Sequence, residues 1–215
     1  MSLGRQYSFW GSLSPFGGLT GAGLLIMASA RLSWAVTVAG SLFWVYGLTA
    51  FTYTFLLSSI GNKFFPKRGR TTLISCLAAF FGSIYLLLFW LLCPFAAMEV
   101  FMLLLLVPLF CAGSSIAALS LEHSRLDVFD HVSDAVSQAA TLAGLIVVFS
   151  IVREPLSFCT LSFPGSSQGM ITIMYFKSSN FFPIGIFASS AGALIILGYI
   201  ICIYQYSKSK RGNYL

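Results

Sequence analysis

Long intervals without a charged residue constrain this chain more than any other feature of its sequence. Asp, Glu, Lys and Arg are all absent from 6–30, 32–62, 71–98, 100–121, 135–152, 155–176 and 178–207. A helix needs about 20 residues to cross the hydrocarbon of a bilayer. Charged residues make up only 8% of the chain, against about a quarter in soluble domains. We therefore predict an integral membrane protein and exclude a soluble globule, a disordered chain and a nucleic-acid-binding domain.

Six of these intervals are apolar enough to form membrane-spanning helices. The interval 155–176 is rich in Pro, Gly and Ser and suits a loop or a re-entrant segment better. Ala28-Ser29-Ala30 resembles a signal-peptide cleavage site, but the glycines and the proline before it are atypical of a signal peptide, and we expect no cleavage. The sequence thus predicts an all-α membrane protein with one domain, 1–215, and six transmembrane helices, at about 14–30, 34–60, 71–93, 98–121, 135–152 and 181–205.

The basic residues predict the orientation. Six spans place both termini and the loops after the second and fourth spans on one side of the membrane. That side holds nine basic residues: Arg5, Lys63, Lys67, Arg68, Arg70, Arg125, Lys208, Lys210 and Arg211. The other side holds three: Arg31, Arg153 and Lys177. Because Lys and Arg favour cytoplasmic loops, we expect cytoplasmic N- and C-termini in a multi-pass protein of the cell inner membrane.

The first and fourth spans share a pattern of proline and small residues. Pro15-Phe16-Gly17-Gly18 in the first span corresponds to Pro108-Leu109-Phe110-Cys111 in the fourth, and small residues follow each. Three spans per half would insert the halves, about 1–95 and 96–215, as two inverted three-helix repeats. Interrupted first helices at matching places indicate a site near the membrane midplane. The alternative is close helix packing with a proline kink.

The second half carries a family resemblance. Glu122-His123-Ser124-Arg125 follows the fourth span, and Arg153-Glu154-Pro155-Leu156 follows the fifth, with Thr160-Leu161 six residues on. Phe182-Pro183-Ile184-Gly185-Ile186-Phe187 opens the sixth span. This order resembles the RnfE/NqrD-type small integral membrane subunits of Rnf and Na+-translocating NADH:quinone reductase (NQR) complexes. The span count and the basic loop after the second span agree more loosely.

The resemblance implies a subunit of a redox-driven ion-translocating electron-transport complex, non-catalytic alone. In that family, paralogous six-helix subunits pair in inverted orientation and hold a [2Fe–2S] cluster between them. Electrons cross the membrane there between flavin and iron–sulfur subunits, and Na+ or H+ is moved. The runner-up interpretation is a six-span substrate-capture subunit of a vitamin-type small-molecule importer, with a similar length and span count.

The cluster ligands of that family are missing here. Leu24 and Ser115 stand at the positions nearest to the family's cysteines, and Leu24 cannot ligate iron. Cys111 lies about one helical turn before Ser115. Because clusters of this kind need thiolates, we predict that the cluster is lost or altered, with Cys111 as at most a single ligand to iron. The alternative for Cys111 is an inert buried thiol.

Three charged residues at span ends are candidate positions on an ion path or for partner docking. Glu122 ends the fourth span, where a carboxylate could assist cation capture, and Arg153-Glu154 closes the fifth. The alternatives are an ordinary exposed helix terminus for Glu122 and an anchor for Arg153 that extends its charge to the membrane surface.

The remaining polar residues suggest no chemistry of their own. Two histidines and three aspartates between 123 and 134 lack a metal-binding spacing, and we interpret them as a solvated loop. No nucleophile–base set, P-loop or dinucleotide motif is present.

Overall fold

The computed structural model describes residues 29–60, 67–113, 128–165, 170–175, 185–199 and 202. This part of the chain is mostly helical. The α-helices are α1 (Leu32–Ile60), α2 (Lys67–Leu92), α3 (Pro94–Gly113), α4 (Val128–Phe158) and α5 (Ser190–Tyr199). The strands β1 (Thr160–Pro164) and β2 (Met170–Tyr175) pair antiparallel, and a 3-10 helix (Gly185–Ala188) precedes α5. The predicted first span lies outside the described residues, except for Ser29 and Ala30 at its end.

Three of these helices are long and apolar enough to cross a membrane. Their apolar segments are Leu32–Ser59 in α1, Thr72–Leu92 in α2 and Ala135–Phe158 in α4. These three candidate spans indicate a multi-pass membrane protein. The apolar part of α3, Pro94–Leu109, and the described helix α5 are shorter. The six-helix inverted repeat therefore stays a prediction.

Several hydroxyl side chains of α1 donate hydrogen bonds to the backbone of the helix itself. Thr37 Oγ1 donates to the Trp34 carbonyl over 2.8 Å, and Ser41 Oγ donates to the Val38 carbonyl over 2.7 Å. Thr54 makes the same kind of bond one turn back along the helix. Short hydroxyl side chains can bond to carbonyls three or four residues earlier. Thr37, Ser41 and Thr54 can thus lie in an apolar helix with their hydroxyl groups hydrogen-bonded.

A single residue joins α2 to α3. The Cys93 amide donates to the Phe89 carbonyl over 2.8 Å, and the Cys93 carbonyl accepts from the Ala97 amide over 2.9 Å. Pro94 has no N–H to continue the ladder, and proline is well tolerated as the first residue of a helix. The chain therefore turns at Cys93, and α2 and α3 pack against each other.

The fifth span extends further than the sequence predicted. The prediction ended it at 152, before Arg153, but α4 continues through Pro155 to Phe158. Proline costs one hydrogen bond within the helix, and Ser157 Oγ donates to the Arg153 carbonyl over 2.8 Å in the same turn. The helix ends at Cys159, which has a left-handed φ of 54°. Its amide closes the last turn by donating to the Pro155 carbonyl over 3.0 Å.

The loop prediction for 155–176 was wrong for the residues that form β1 and β2. Phe163 pairs with Ile171, and Leu161 pairs with Met174, across a β-bulge. In the middle of these strands Ser162 and Thr172 share the face toward the bundle, and Phe163 and Ile171 lie on the opposite face. The prediction followed the Pro, Gly and Ser content of the interval and gave too little weight to this alternation.

α1 lies at the centre of the described bundle. It packs on α2, α3 and α4, and it supplies the buried residues Ala35, Val38, Leu42, Val45 and Tyr46 to the main core. Its first residue meets Glu154 near the end of α4, so these two helices are antiparallel. Trp34 at its start meets Glu99 at the start of α3, so these two run in the same direction. The alternation matches that of the predicted spans.

Candidate functional site

Arg153, near the end of α4, is fully buried and binds backbone carbonyls from two other segments. Its Nε donates to the Phe187 carbonyl over 2.8 Å. Its Nη2 donates to Ala188 over 3.0 Å and to Ser189 over 2.9 Å, and its Nη1 donates to Ser29 over 3.2 Å. A guanidinium presents five N–H donors in a rigid plane. One side chain thus fastens the 3-10 helix and the residues before α1 to α4.

Glu154 is also fully buried, and it caps the central helix. Its Oε2 accepts a hydrogen bond of 2.7 Å from the Leu32 amide, the first residue of α1. The first amides of a helix have no partner within the helix and carry partial positive charge. The Glu154 carboxylate accepts a hydrogen bond from one of these amides, and its negative charge balances their partial positive charge. Its other oxygen, Oε1, is buried with no hydrogen-bond partner among the described residues.

The adjacent charges of Arg153 and Glu154 are both buried away from water. Burying a charge is costly unless it is hydrogen-bonded and compensated. Arg153 has four carbonyl acceptors, and Glu154 has the N-terminus of α1. Arg153 therefore does not extend its charge to the surface, as one of our alternatives required. It serves as an internal connector, and its role on an ion path or in docking stays a prediction.

Serine hydroxyls strengthen the same junction. Ser150 Oγ, one turn before Arg153 on α4, donates to the Ser29 carbonyl over 3.4 Å. Ser162 Oγ on β1 donates to Ser33 Oγ on α1 over 3.3 Å. Both pairs lie more than 100 residues apart in the chain and are buried. We call this region, where α4, β1, the 3-10 helix and the start of α1 meet, the arginine–glutamate junction.

A glycine allows the 3-10 helix to reach Arg153. A Cβ atom at Gly192 would lie 2.2 Å from the Ile186 carbonyl oxygen and 2.6 Å from Phe187 Cα. The backbone of α5 therefore approaches the 3-10 helix as closely as only glycine permits. The sequence did not predict a role for Gly192 at this site. Ser29 and Ser189 contribute backbone carbonyls and thus leave no side-chain signal.

Cys111 is buried in the core formed by α1, α3 and α4. It is 0% exposed and lies beside Thr49 of α1. Pro108, one turn earlier, does not interrupt α3 and packs against Gly82 of α2. Among the residues that the structure describes, no three His, Cys, Asp or Glu side chains lie close enough together to hold a metal ion. The other candidates, Leu24, Ser115 and Glu122, lie outside the described residues.

Two other charged residues at this end of the bundle, the exposed Glu99 and the half-buried Arg31, make weaker contacts. Trp34 Nε1 donates to Glu99 Oε2 over 3.2 Å. The Arg31 guanidinium carbon lies 5.8 Å from the centre of the Trp34 ring and 5.0 Å from that of Phe158. Arg31 and Arg153 therefore lie at the same end of the bundle, as the predicted alternation of the spans requires.

Comparison with known proteins leaves the family of the chain open. It matches no model of a known protein family, and a search of curated proteins finds no significantly similar sequence.

Proposed function

We propose that this chain is a membrane subunit of a redox-driven ion-translocating electron-transport complex, similar to the RnfE/NqrD-type subunits of Rnf and NQR complexes. The observation that carries the proposal is the place of Arg153-Glu154. These two residues, with Thr160-Leu161 after them, are the most specific part of the family resemblance. Arg153 and Glu154 form the buried junction that holds α1, α4 and the 3-10 helix together. A fold-defining role would explain why such a motif characterises a family.

The direction of the helices also supports this proposal. In two inverted three-helix halves, the second and fifth spans are equivalent, and they must run in opposite directions. These spans correspond to α1 and α4, which pack against each other in antiparallel fashion. The pairing of α1 with α4 is compatible with a symmetry axis that relates the two proposed halves, about 1–95 and 96–215. In this interpretation the chain joins a paralogous six-helix subunit in the lipid bilayer, together with flavin and iron–sulfur subunits.

Within that complex, the chain positions redox groups and catalyses nothing alone. The proposed [2Fe–2S] cluster is altered or lost, because Leu24 and Ser115 replace cysteines. Cys111 supplies at most one ligand to iron. Glu122, Arg153 and Glu154 belong to the proposed path of Na+ or H+. In partner docking, the buried Arg153 and Glu154 act by holding α1 and the 3-10 helix in place, and Glu122 belongs to the docking surface itself.

The test is purification of the tagged full chain from its native membranes in a mild detergent. We expect flavoprotein and iron–sulfur subunits in the eluate, identified by mass spectrometry, with bound flavin and iron measured in the same fractions. Membranes that carry the untagged chain are the control. ATPase subunits in place of these partners would contradict the proposal and support the importer alternative.

The cofactor needs its own measurement on the intact complex. Iron and sulfide are counted after anaerobic purification, and EPR spectra are recorded with the native chain and with Cys111→Ala. We expect no cluster that depends on two cysteines of this chain. Loss of a [2Fe–2S] signal in the variant would make Cys111 a ligand, and an unchanged signal would leave it a packing residue.

The orientation is tested by cysteine labelling in intact cells. A cysteine placed at Gly69 should react only after the cytoplasmic side is opened to the reagent. One placed at Ser167 should react from outside, because the predicted loops lie on opposite sides. The reverse pattern would invert the proposed topology.

A further inference from the structure

The hairpin formed by β1 and β2 has its polar and apolar faces reversed. Ser162 is buried and donates to Ser33 of α1, so this face of β1 points toward the bundle. Thr172 pairs with Ser162 and shares that face. Side chains alternate along a strand, so Leu161 and Phe163 point away from the bundle. In the middle of the hairpin, hydroxyl groups thus face the protein and apolar side chains face outward.

The outward face is apolar on both strands. Phe163 pairs with Ile171, and Leu161 pairs with Met174. Phe163, Ile171 and Met174 are exposed, as is Ile173 at the bulge. The whole segment from Thr160 to Tyr175 lacks a charged residue. A hairpin in water shows the opposite pattern, because its apolar side chains gain free energy by leaving water.

The position of the hairpin points to lipid. Cys159 alone separates β1 from α4, whose apolar segment is a candidate membrane span. Val148, Ile151 and Val152 are exposed in the last turns of that segment. The apolar surface of a spanning helix thus leads directly into the apolar hairpin.

The unpaired backbone groups of the hairpin limit how deep it can lie in the bilayer. A two-stranded sheet leaves one edge of each strand without partners from the sheet, and such groups cost several kcal/mol each in hydrocarbon. In the interfacial layer, headgroups and water can satisfy these groups while apolar side chains reach the acyl chains. We propose that the β1–β2 hairpin lies in the interfacial layer of the bilayer, with its outer face against lipid. This inference needs a membrane protein but does not depend on the proposed redox complex.

Photo-crosslinking in native membranes tests which molecule covers the hairpin. Benzoylphenylalanine replaces Phe163 in the full chain, and cells are grown with radioactive phosphate so that phospholipid adducts carry label. Phe80 of α2, 59% exposed, is the lipid-facing control, and Phe149 of α4, 3% exposed, is the buried control. We expect labelled protein from the probes at 163 and 80 and none at 149. A discrete protein adduct at 163, or no adduct there, would overturn the proposal.

A second measurement gives the depth. The fluorescence of Phe163→Trp, after subtraction of the parent spectrum, is recorded in liposomes with lipids brominated either near the headgroup or near the chain end. We expect stronger quenching by the shallow bromines and a blue-shifted emission. Stronger quenching by the deep bromines, or no quenching by either, would contradict an interfacial position.

Discussion

The α1–α4 pair and the α2–α3 pair are both antiparallel helix pairs, but different interactions hold them. Within an apolar 18-residue stretch of each helix, 50% of the residues of α1 and 44% of those of α4 are buried, against 17% of those of α2. The first pair ends in hydrogen-bonded charges, Arg153 and Glu154. In the second pair, Gly82 of α2 packs tightly against the ring of Pro108 of α3.

The difference follows from the membrane as a solvent. Lipid chains are as apolar as leucine, so burial of apolar surface between helices gains little there, and packing and polar contacts decide which helices associate. The central pair has directional polar contacts that fix its register at one end. The peripheral pair relies on shape and leaves large side chains such as Phe80, Leu87 and Leu91 exposed. Substitutions should therefore act more strongly at the arginine–glutamate junction than between α2 and α3.

The largest effect is expected for Arg153→Ala. It removes the donors of four carbonyls and leaves Glu154 buried without the neighbouring positive charge. A buried acceptor left without its donor costs about 1–3 kcal/mol, and four carbonyls are affected, so we expect a loss of at least about 3 kcal/mol. The free energy of unfolding is measured by SDS titration in mixed micelles. Arg31→Ala is the control, since Arg31 makes ring contacts expected to contribute about 1 kcal/mol. Equal losses would show that the junction has no special role.

These charges also mark where sequence reasoning reached its limit. The charge-free intervals predicted α1, α2 and α4, because a helix that crosses a bilayer must be apolar along its length. Arg153 was placed at a span end, because a charge inside a span is costly. Its carbonyl partners near Ser29 and Phe187 are backbone groups from distant segments. Every residue has a backbone carbonyl, so no side-chain pattern identifies the carbonyls that bind Arg153. Its burial was therefore not predictable from the sequence.

The candidate site shows the same limit. Arg153 and Glu154 were selected through a family resemblance and lie together in a buried junction. Pro108 was selected as a helix interruption, yet α3 continues through it. Its ring fills the space that Gly82 leaves on α2, and that fit depends on two residues far apart in the sequence. The close packing that the alternative predicted is present at Pro108 and Gly82.

A somewhat smaller effect is expected for Gly192→Ala at the junction. The new Cβ would overlap the backbone of Ile186 and Phe187, and backbone cannot yield as a side chain can. The 3-10 helix should move away from Arg153, at a cost of about 2–3 kcal/mol for overpacking. Gly198→Ala on the same helix is the control, because its Cβ would meet no heavy atom of the described residues within 4 Å. The same SDS titration measures both, and similar stabilities would disprove the close approach.

For the peripheral pair, Gly82→Ala tests packing by shape. The Cβ would lie 2.8 Å from Cγ of Pro108, in a ring that can shift slightly with α3. We expect a loss of about 1–2 kcal/mol, smaller than that of Gly192→Ala. Gly144→Ala on α4 is exposed and meets no described atom within 4 Å. It should be neutral or stabilising by up to about 1 kcal/mol, because alanine favours helix. A Gly82 variant as stable as the Gly144 variant would contradict the tight packing.

The smallest effect is expected for Glu99→Gln, which compares two carboxylates at the same end of the bundle. Glu99 is exposed and accepts from Trp34 Nε1 over 3.2 Å, and a glutamine oxygen can accept the same bond. Exposed charge contributes about 0–1 kcal/mol, so we expect a loss of less than about 0.5 kcal/mol.

Glu154→Gln is the matched substitution. It keeps an acceptor for the Leu32 amide but removes a buried negative charge beside Arg153 and at the N-terminus of α1. Hydrogen bonds to charged groups contribute about 1.5–3 kcal/mol, so its loss should exceed that of Glu99→Gln by at least about 1 kcal/mol. Raising the salt concentration should reduce only the Glu99 effect, since buried charges are screened much less. Equal losses with equal salt dependence would mean that Glu154 is accessible to water and that the junction is open.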